Sequence, residues 1–459
     1  MPPNILFIFS DQHRYDCLGA HGHPLLATPH LDRLAAEGAS FVHAFTPIPI
    51  CVPARASLLT GQWPAGRLPH GHQALANTDS EVPRPMRTDL PTFTQALADA
   101  GYWLGMAGKW QVHPDLGPLS FGFNDYRPES AYPAWRAAQG LPPRPHSNAW
   151  FGEPDPAIAP SQSRLAWGAD AAIELLGKAA DSGQPFFVRW DPSEPHLPNI
   201  VPEPYASLYP PEQILPWPGF NDPLEGKPFI QKKMRQSWQI EGWPWQRWAP
   251  TVARYLGEIS LLDAQVGRLL AELDRLGLAE NTLVVYSCDH GDLCGSHGMI
   301  DKHNVMYDDV LRVPLLMRWP GHIPAGARPE GFTSHAIDLA STLLSAAGVP
   351  IPATFTGLNL LPQAQGLEAG REDIFASYHG SQFGLYSQRA LRDRRWKYVW
   401  NATAEDELYD LEGDPGEIHN RAGDPACYAE LTRLRARLLW WMESIHDPLV
   451  NLWTRTQLQ

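Results

Sequence analysis

Asn4-Ile5-Leu6-Phe7-Ile8-Phe9-Ser10, followed at once by Asp11-Gln12, and Thr282-Leu283-Val284-Val285-Tyr286-Ser287-Cys288, followed by Asp289-His290, decide the fold between them. Each is a short apolar run rich in β-branched and aromatic residues, which predicts a strand buried on both faces. Two further runs have the same form. Tyr102-Trp103-Leu104-Gly105-Met106-Ala107 leads to Lys109, and Pro185-Phe186-Phe187-Val188-Arg189-Trp190 leads to Glu194-Pro195-His196. Helical patterns lie between them, clearest over 253–276, where Ile259, Leu262, Val266, Leu269, Leu273 and Leu276 recur at helical spacing and Gly277 supplies the stop. Strands alternating with helices predict an α/β fold with a mostly parallel central sheet flanked by helices. Ligands bind beyond the carboxyl ends of such strands, so the polar residues after the four runs are expected to converge on one rim.

Residues 125–250 break this rhythm. They hold nine of the 18 tryptophans, many prolines and little periodicity, and read as ordered loops over the sheet rim or as a tryptophan-filled auxiliary core. From about residue 370 the pattern turns to short β-like runs (373–379, 389–400, 406–411) and a closing amphipathic helix near 425–445. The expected division is an α/β domain over 1–369 and a smaller α+β subdomain with an antiparallel sheet over 370–459.

Composition narrows the function. The 459 residues, 44% of them apolar, suffice for a large core, and 37 glycines with 46 prolines, about 18% of the chain, point to many ordered turns. A net charge of -14 repels phosphate backbones and argues against nucleic acid as a partner. Cys17, Cys51, Cys288, Cys294 and Cys427 are an odd, widely spaced set, as in a reduced compartment. Met1-Pro2-Pro3 runs directly into the first strand without a basic leader, and nowhere do about 18 apolar residues run together. The expectation is a soluble, cytoplasmic protein that engages no membrane.

One segment concentrates the chemistry. Cys51-Val52-Pro53-Ala54-Arg55-Ala56-Ser57-Leu58-Leu59-Thr60-Gly61 places a proline in a first helical turn and a glycine at the stop. Cys51 then lies at the helix N-terminus, where free N–H groups and the dipole favour an anion or an activated nucleophile. Arg55 follows one turn later. Alone, such a cysteine is more often a buried packing residue.

The whole segment resembles the signature of the formylglycine-dependent sulfatases, type I sulfatases of the alkaline phosphatase superfamily. The resemblance runs from Asn4 to about Gly321 and more weakly over Arg392 to Asn420. It includes Asp11-Gln12, Thr28-Pro29-His30-Leu31-Asp32-Arg33-Leu34, Gly108-Lys109-Trp110, Pro195-His196-Leu197-Pro198 and Asp289-His290-Gly291. It implies that Cys51 is oxidised to formylglycine by a formylglycine-generating enzyme, and that Arg55 holds the modified side chain. The hydrated aldehyde carries two geminal hydroxyls, one to attack sulfur and one whose deprotonation ejects sulfate.

The same resemblance implies one divalent metal on Asp11, Gln12, Asp289, His290 and residue 51. Calcium follows family precedent, but Gln12 and His290 replace a carboxylate and an amide that many sulfatases carry, which raises manganese as the alternative. It further implies that Lys109 and Lys302 hold the sulfate oxygens and that His196 donates to the bridging or a sulfate oxygen, as an imidazole suited to proton transfer near neutrality. The family's histidine two positions after the lysine is absent. Either Gln111 replaces it with a neutral donor or His113 reaches the same place.

The function implied is a sulfatase acting on a small sulfate ester, a sulfated sugar or an aryl or alkyl sulfate. A phosphonate monoester or phosphodiester hydrolase of the same superfamily is the runner-up, against which Lys109 argues, and a catalytically silent sugar- or anion-binding protein is the third. The rim loops of 125–250 are expected to wall a closed pocket with some of Trp135, Trp150, Trp238, Trp243 and Trp245. Tryptophan-rich loops also make a homo-oligomer unsurprising.

Overall fold

The computed structural model of the chain describes residues 2–66 and 86–459. A seven-stranded sheet forms from β1 (Asn4–Ser10), β2 (Ala39–Ser40), β3 (Trp103–Gly108), β4 (Asp125–Pro128), β5 (Phe186–Asp191), β6 (Thr282–Cys288) and β7 (Leu315–Arg318), in the order β2-β7-β6-β1-β5-β3-β4. From β6 through β4 all neighbours are parallel, and the β7–β6 and β7–β2 pairs at the other edge are antiparallel. The mostly parallel α/β sheet expected from the sequence is thus present.

The doubly apolar runs explain why helices cover both faces. Successive strand side chains point to opposite sides. Ile5, Phe7 and Phe9 pack with Leu58 and Leu59 of α1 (Cys51–Thr60) and with Leu339 and Leu343 of a helix over His335–Ala347. Leu6 and Ile8 pack on the other face, with Ala169 and Leu175 of α2 (Arg164–Asp181) and with Leu262, Val266 and Leu269 of α3 (Trp245–Arg275). Each such side chain contributes about 1.5–3 kcal/mol of burial, so Phe7→Ala would cost about 3–5 kcal/mol.

The 125–250 region departs from the loop expectation in four helical stretches, two of them short ones over Tyr132–Ala138 and Phe229–Trp238. α2, with Leu165, Leu175 and Leu176 on its buried side, was overlooked inside the proline- and tryptophan-rich stretch, and α3 begins eight residues before the pattern at 253, with Pro250 inside it. Its opening turns bury Trp245 and Trp248 in a cluster with Tyr209, Tyr255 and Leu256, so for these two tryptophans packing is the observed role. Trp243 packs against Phe151 and Trp248 at the cluster's edge, while Trp150 is exposed and meets Trp238 edge-on. Trp135 stacks on Tyr132.

The C-terminal part holds an antiparallel sheet of β8 (Ile374–Gly380), β9 (Tyr386–Arg392), β10 (Trp396–Asn401) and β11 (Glu407–Asp410), closed by α4 (Tyr428–Ser444). The single run read at 389–400 is two strands. Asp393 turns the chain between them, its carboxylate accepting the N–H groups of Arg395 and Trp396 at 3.0 and 2.7 Å. The core of this sheet includes Ile48, Ile50 and Ala54, so it packs directly on the chain entering α1. All five cysteines are unpaired thiols, and no helix of the described residues is long and apolar enough to cross a membrane.

Candidate active site

Strand register brings the acids together. β1 and β6 are parallel neighbours with Ser10 opposite Cys288, so Asp11 and Asp289 leave the sheet side by side. β5 flanks β1 on its other side and ends at Asp191, and β3 pairs with β5 so that Gly108 lies opposite Asp191. Gly108 has φ +105°, and a Cβ there would lie 2.0 Å from the Asp191 carbonyl oxygen. Only glycine permits this approach, which lets Lys109 N–H donate to that carbonyl at 2.8 Å. α1 starts at Cys51, whose sulfur lies at the rim, and its end is set by Gly61 at φ +62°.

Each metal-side carboxylate is divided between two tasks. The Oδ2 atoms of Asp11 and Asp289 accept from Arg55, each at 3.0 Å, and Asp11 Oδ2 also takes Lys109 Nζ at 2.5 Å. The Oδ1 atoms face the opposite way, where that of Asp289 also accepts the N–H groups of Gln12 and His290 at 3.1 and 3.0 Å. Asp11 Oδ1 lies 3.7 Å from Cys51 Sγ, His290 Nε2 lies 3.1 Å from that sulfur, and His290 Nε2 is 3.6 Å from Asp289 Oδ1. One atom each from Asp11, Cys51, Asp289 and His290 falls within 4.8 Å of all the others, and all four residues are buried.

These residues fit a divalent ion. His290 Nδ1 is 2.9 Å from the Gly291 carbonyl, to which it donates as N–H, leaving Nε2 a free acceptor turned to the cluster. Burial lowers the His290 pKa below its ordinary value, which keeps that acceptor neutral. For Asp11 burial opposes ionisation, but Lys109, His196 and Arg55 outweigh it and hold the carboxyl well below the usual range. Two carboxyl oxygens, an imidazole nitrogen and the side chain of residue 51 are a donor set for a cation of intermediate hardness.

The sulfate-side residues meet on the same rim. Gln12 has a left-handed φ of 64° that turns its amide inward, with Oε1 accepting from Lys302 Nζ at 3.0 Å and Nε2 donating to Asp292 Oδ2 at 2.8 Å. Lys302 Nζ also donates to His196 Nε2 at 2.6 Å, and His196 Nδ1–H donates to the Leu197 carbonyl at 2.6 Å. Although burial alone would lower it, the Lys302 ammonium is held above its ordinary pKa by Asp301. The segment carrying it is strained. Asp301, His303 and Asn304 all have positive φ (70°, 76° and 43°), and both amide atoms of the buried Asn304 lack a hydrogen-bond partner among the described residues.

Nine of the ten residues singled out in the sequence therefore share one cluster. His113 does not join it. Its Nδ1 accepts the N–H groups of Asp115 and Leu116, both at 3.1 Å, so the ring closes its own loop. Arg55 is spoken for as well, its donors running to Asp11, Asp289 and Asp191 and not to the Cys51 sulfur. Sequence reasoning passed over Asp191, Arg189 and Asp292. Asp191 carried a usable signal, since it closes a buried strand as Asp11 and Asp289 follow theirs. Burial pushes its carboxyl up against the pull of Arg189 and Arg55.

Comparison with known proteins fits this geometry. The sulfatase family model matches residues 3–349, which includes every residue of the cluster. The chain belongs to the sulfatase family. A second model, the C-terminal region of N-sulphoglucosamine sulphohydrolase, matches residues 295–444, covering Lys302 and the antiparallel sheet. Among curated sulfatase relatives, the chain is similar to the arylsulfatase of Clostridium perfringens, with 28% identity over 96% of this chain and 95% of that one. It is also similar to PehA of Trinickia caryophylli, a multifunctional alkaline phosphatase superfamily protein, with 31% identity over 97% and 96%. Among solved structures, the phosphonate monoester hydrolase of Silicibacter pomeroyi superposes with a TM-score of 0.84 at 26% identity, covering 98% of this chain and 97% of that one. As a sulfatase, the protein is a sulfuric ester hydrolase with the alkaline-phosphatase-like fold.

Proposed function

We propose that this sulfatase hydrolyses a small sulfate ester, a sulfated sugar or an aryl or alkyl sulfate, at a formylglycine formed from Cys51 beside one divalent ion. The observation that carries the reading is the position of Cys51. It opens a buried helix within 3.1–3.7 Å of His290 and Asp11 while two lysines reach the same rim. The aldehyde hydrate would supply the geminal hydroxyls, and the ion, calcium or manganese, would polarise oxygens bound to it.

The chain's own groups do the rest. Lys109 and Lys302 neutralise the sulfate oxygens, and both are held charged by carboxylate neighbours, Asp11 and Asp301. His196 is placed to give a proton to the departing alcohol oxygen as the sulfur–oxygen bond breaks, once substrate draws the Lys302 ammonium away and His196 Nε2, its acceptor here, has taken up that proton. Asp11 and Asp289 give Oδ2 to Arg55, and Asp289 Oδ1, which would face the ion, is also pinned by the N–H groups of Gln12 and His290, so neither carboxylate swings when the substrate's charge arrives.

The second reading, a phosphonate monoester or phosphodiester hydrolase, is favoured by the structural neighbour above and by the Asp-Gln and Asp-His donor pairs. Lys109 on the rim supports sulfate. The test is a desulfation screen over aryl, choline, monosaccharide and oligosaccharide sulfates, with phosphonate and phosphodiester controls and mass spectrometry of the peptide holding residue 51. The proposal expects sulfate esters to lead and activity not to rise with oligosaccharide length. Faster phosphonate or phosphodiester turnover, or an unmodified cysteine in fully active enzyme, would overturn it.

A further inference from the structure

Beneath the rim lies a buried ionic triad that no step above uses. Asp191 Oδ2 accepts from Arg55 Nη1 at 2.6 Å and from Arg189 Nη2 at 2.6 Å, and Asp191 Oδ1 accepts from Arg189 Nε at 2.6 Å. All three side chains are wholly buried. They rest on aromatic rings of the sheet, with Arg55 5.3 Å from the centre of Phe9 and Arg189 5.5 and 5.3 Å from Phe7 and Phe9.

Such a triad is a poor device for stability. Taking three charges out of water costs several kcal/mol per ion, and apolar side chains of similar volume fill such space equally well or better. Its geometry points to another use. Arg55 grips the Oδ2 atoms of Asp11 and Asp289, and Asp191 fixes the guanidinium's third edge, so the plane of Arg55 is set from below. Arg189 supplies the charge that lets Asp191 stay there as an anion.

We propose that Asp191, with Arg189 as its counter-ion, is a positioning residue that draws Arg55 down toward the sheet and thereby keeps Asp11 and Asp289 turned to receive the metal. Without Asp191 the whole guanidinium charge falls on the two carboxylates, where it competes with a cation for the same groups. The main chain of Asp191 adds a second constraint, since its carbonyl accepts Lys109 N–H. That contact survives any change of the 191 side chain, so a side-chain substitution isolates the effect on Arg55.

The inference rests on the reading that Asp11 and Asp289 hold a divalent ion, and the experiment separates the two. Calcium and manganese are titrated calorimetrically into chelator-stripped parent enzyme, into Asp191→Asn and into the charge-free double variant Arg189→Met/Asp191→Leu, with melting temperatures and kcat and KM measured alongside. The expected result is metal affinity and kcat lower by about 10–100-fold in both variants with KM little changed, as for other groups that orient metal ligands. The double variant keeps a melting temperature near the parent's. Parent-like metal affinity in a folded double variant overturns the inference alone. A parent that binds neither ion overturns the metal reading and the inference with it. Should Asp191→Asn fail to fold, the double variant decides.

Discussion

Two of the buried charge clusters among the described residues stand in contrast, and only one of the pair is built to act. At the rim, Arg55 and Lys109 occupy one side of Asp11 and Asp289, and the other side converges with Cys51 and His290 on a common point. At the junction with the C-terminal sheet, Lys227, Asp222, His297, Tyr307, Glu417 and Lys397 are as deeply buried but close on one another and on the half-buried Asp308. Lys227 Nζ is shared among Asp222, the Tyr307 hydroxyl and the Glu417 carbonyl, His297 Nδ1 meets Asp222 Oδ2 at 2.7 Å, and Lys397 bridges Glu417 and Asp308 at 2.6 and 2.5 Å. His297 also stacks on Tyr307 with ring centres 3.6 Å apart. Buried charge therefore does not mark a site here. Donor atoms that converge without a cation among them do.

The largest expected effect breaks the rim. Cys51→Ala should abolish turnover while the protein still folds, and Cys51→Ser should at most attack once and stall as a sulfated serine, visible by mass spectrometry. Ordinary multiple turnover by either variant would refute the nucleophile. Next, Asp289→Ala and Asp222→Ala should part company. The first should lose metal and activity together with some stability, since it takes one of three carboxylates from the buried Arg55. The second strands Lys227 and should cost about 3–5 kcal/mol of stability while the folded fraction keeps its kcat; the reverse pattern would erase the distinction drawn between the clusters.

Acid titration sharpens the comparison further. Burial opposes ionisation of Asp222, but His297 and Lys227 outweigh it and lower its pKa below the ordinary value. A carboxyl lowered in the folded state adds stability that is complete above its unfolded pKa and drains away as pH falls through the folded one. Melting temperature should therefore drop below about pH 4, the ordinary carboxylate range, and more shallowly in Asp222→Asn than in the parent. An identical acid slope in the two proteins would remove Asp222 from the account. The smallest effect is expected at His113. His196→Ala should lower kcat by about 100-fold, in the range of general acid catalysis, whereas His113→Ala should change it by no more than about twofold. A large loss at His113 would show that its loop rearranges around substrate.

Much of the rim was legible because it lies in short segments whose geometry is local. A strand followed by Asp-Gln or Asp-His puts those residues at the sheet's edge whatever the rest of the chain does, and Pro53 with Gly61 bounds the helix that offers Cys51. The triad was illegible for the opposite reason. Arg189 and Asp191 face Arg55 only because β5 lies beside β1, a pairing over more than 180 residues that no local pattern announces. α2 escaped although Leu165, Leu175 and Leu176 join its alanines in an apolar stripe, because the proline- and tryptophan-rich sequence around it reads as loop. His113 was credited from its spacing to Lys109, and spacing in a loop says little about where a ring turns.

The strained stretch around Lys302 bears on any attempt to redesign this enzyme. Asn304 holds a left-handed backbone and a buried amide with no partner among the described residues, a combination that lowers folding free energy instead of raising it. Glycine there would accept the backbone without penalty and remove the amide, at about 0.5–1 kcal/mol of added chain freedom in the unfolded state. An optimiser scoring thermal robustness alone would thus favour that exchange early. It would free the backbone two residues from Lys302, which meets Gln12 and His196 at the rim, so heat tolerance and turnover are set against each other within three residues of sequence.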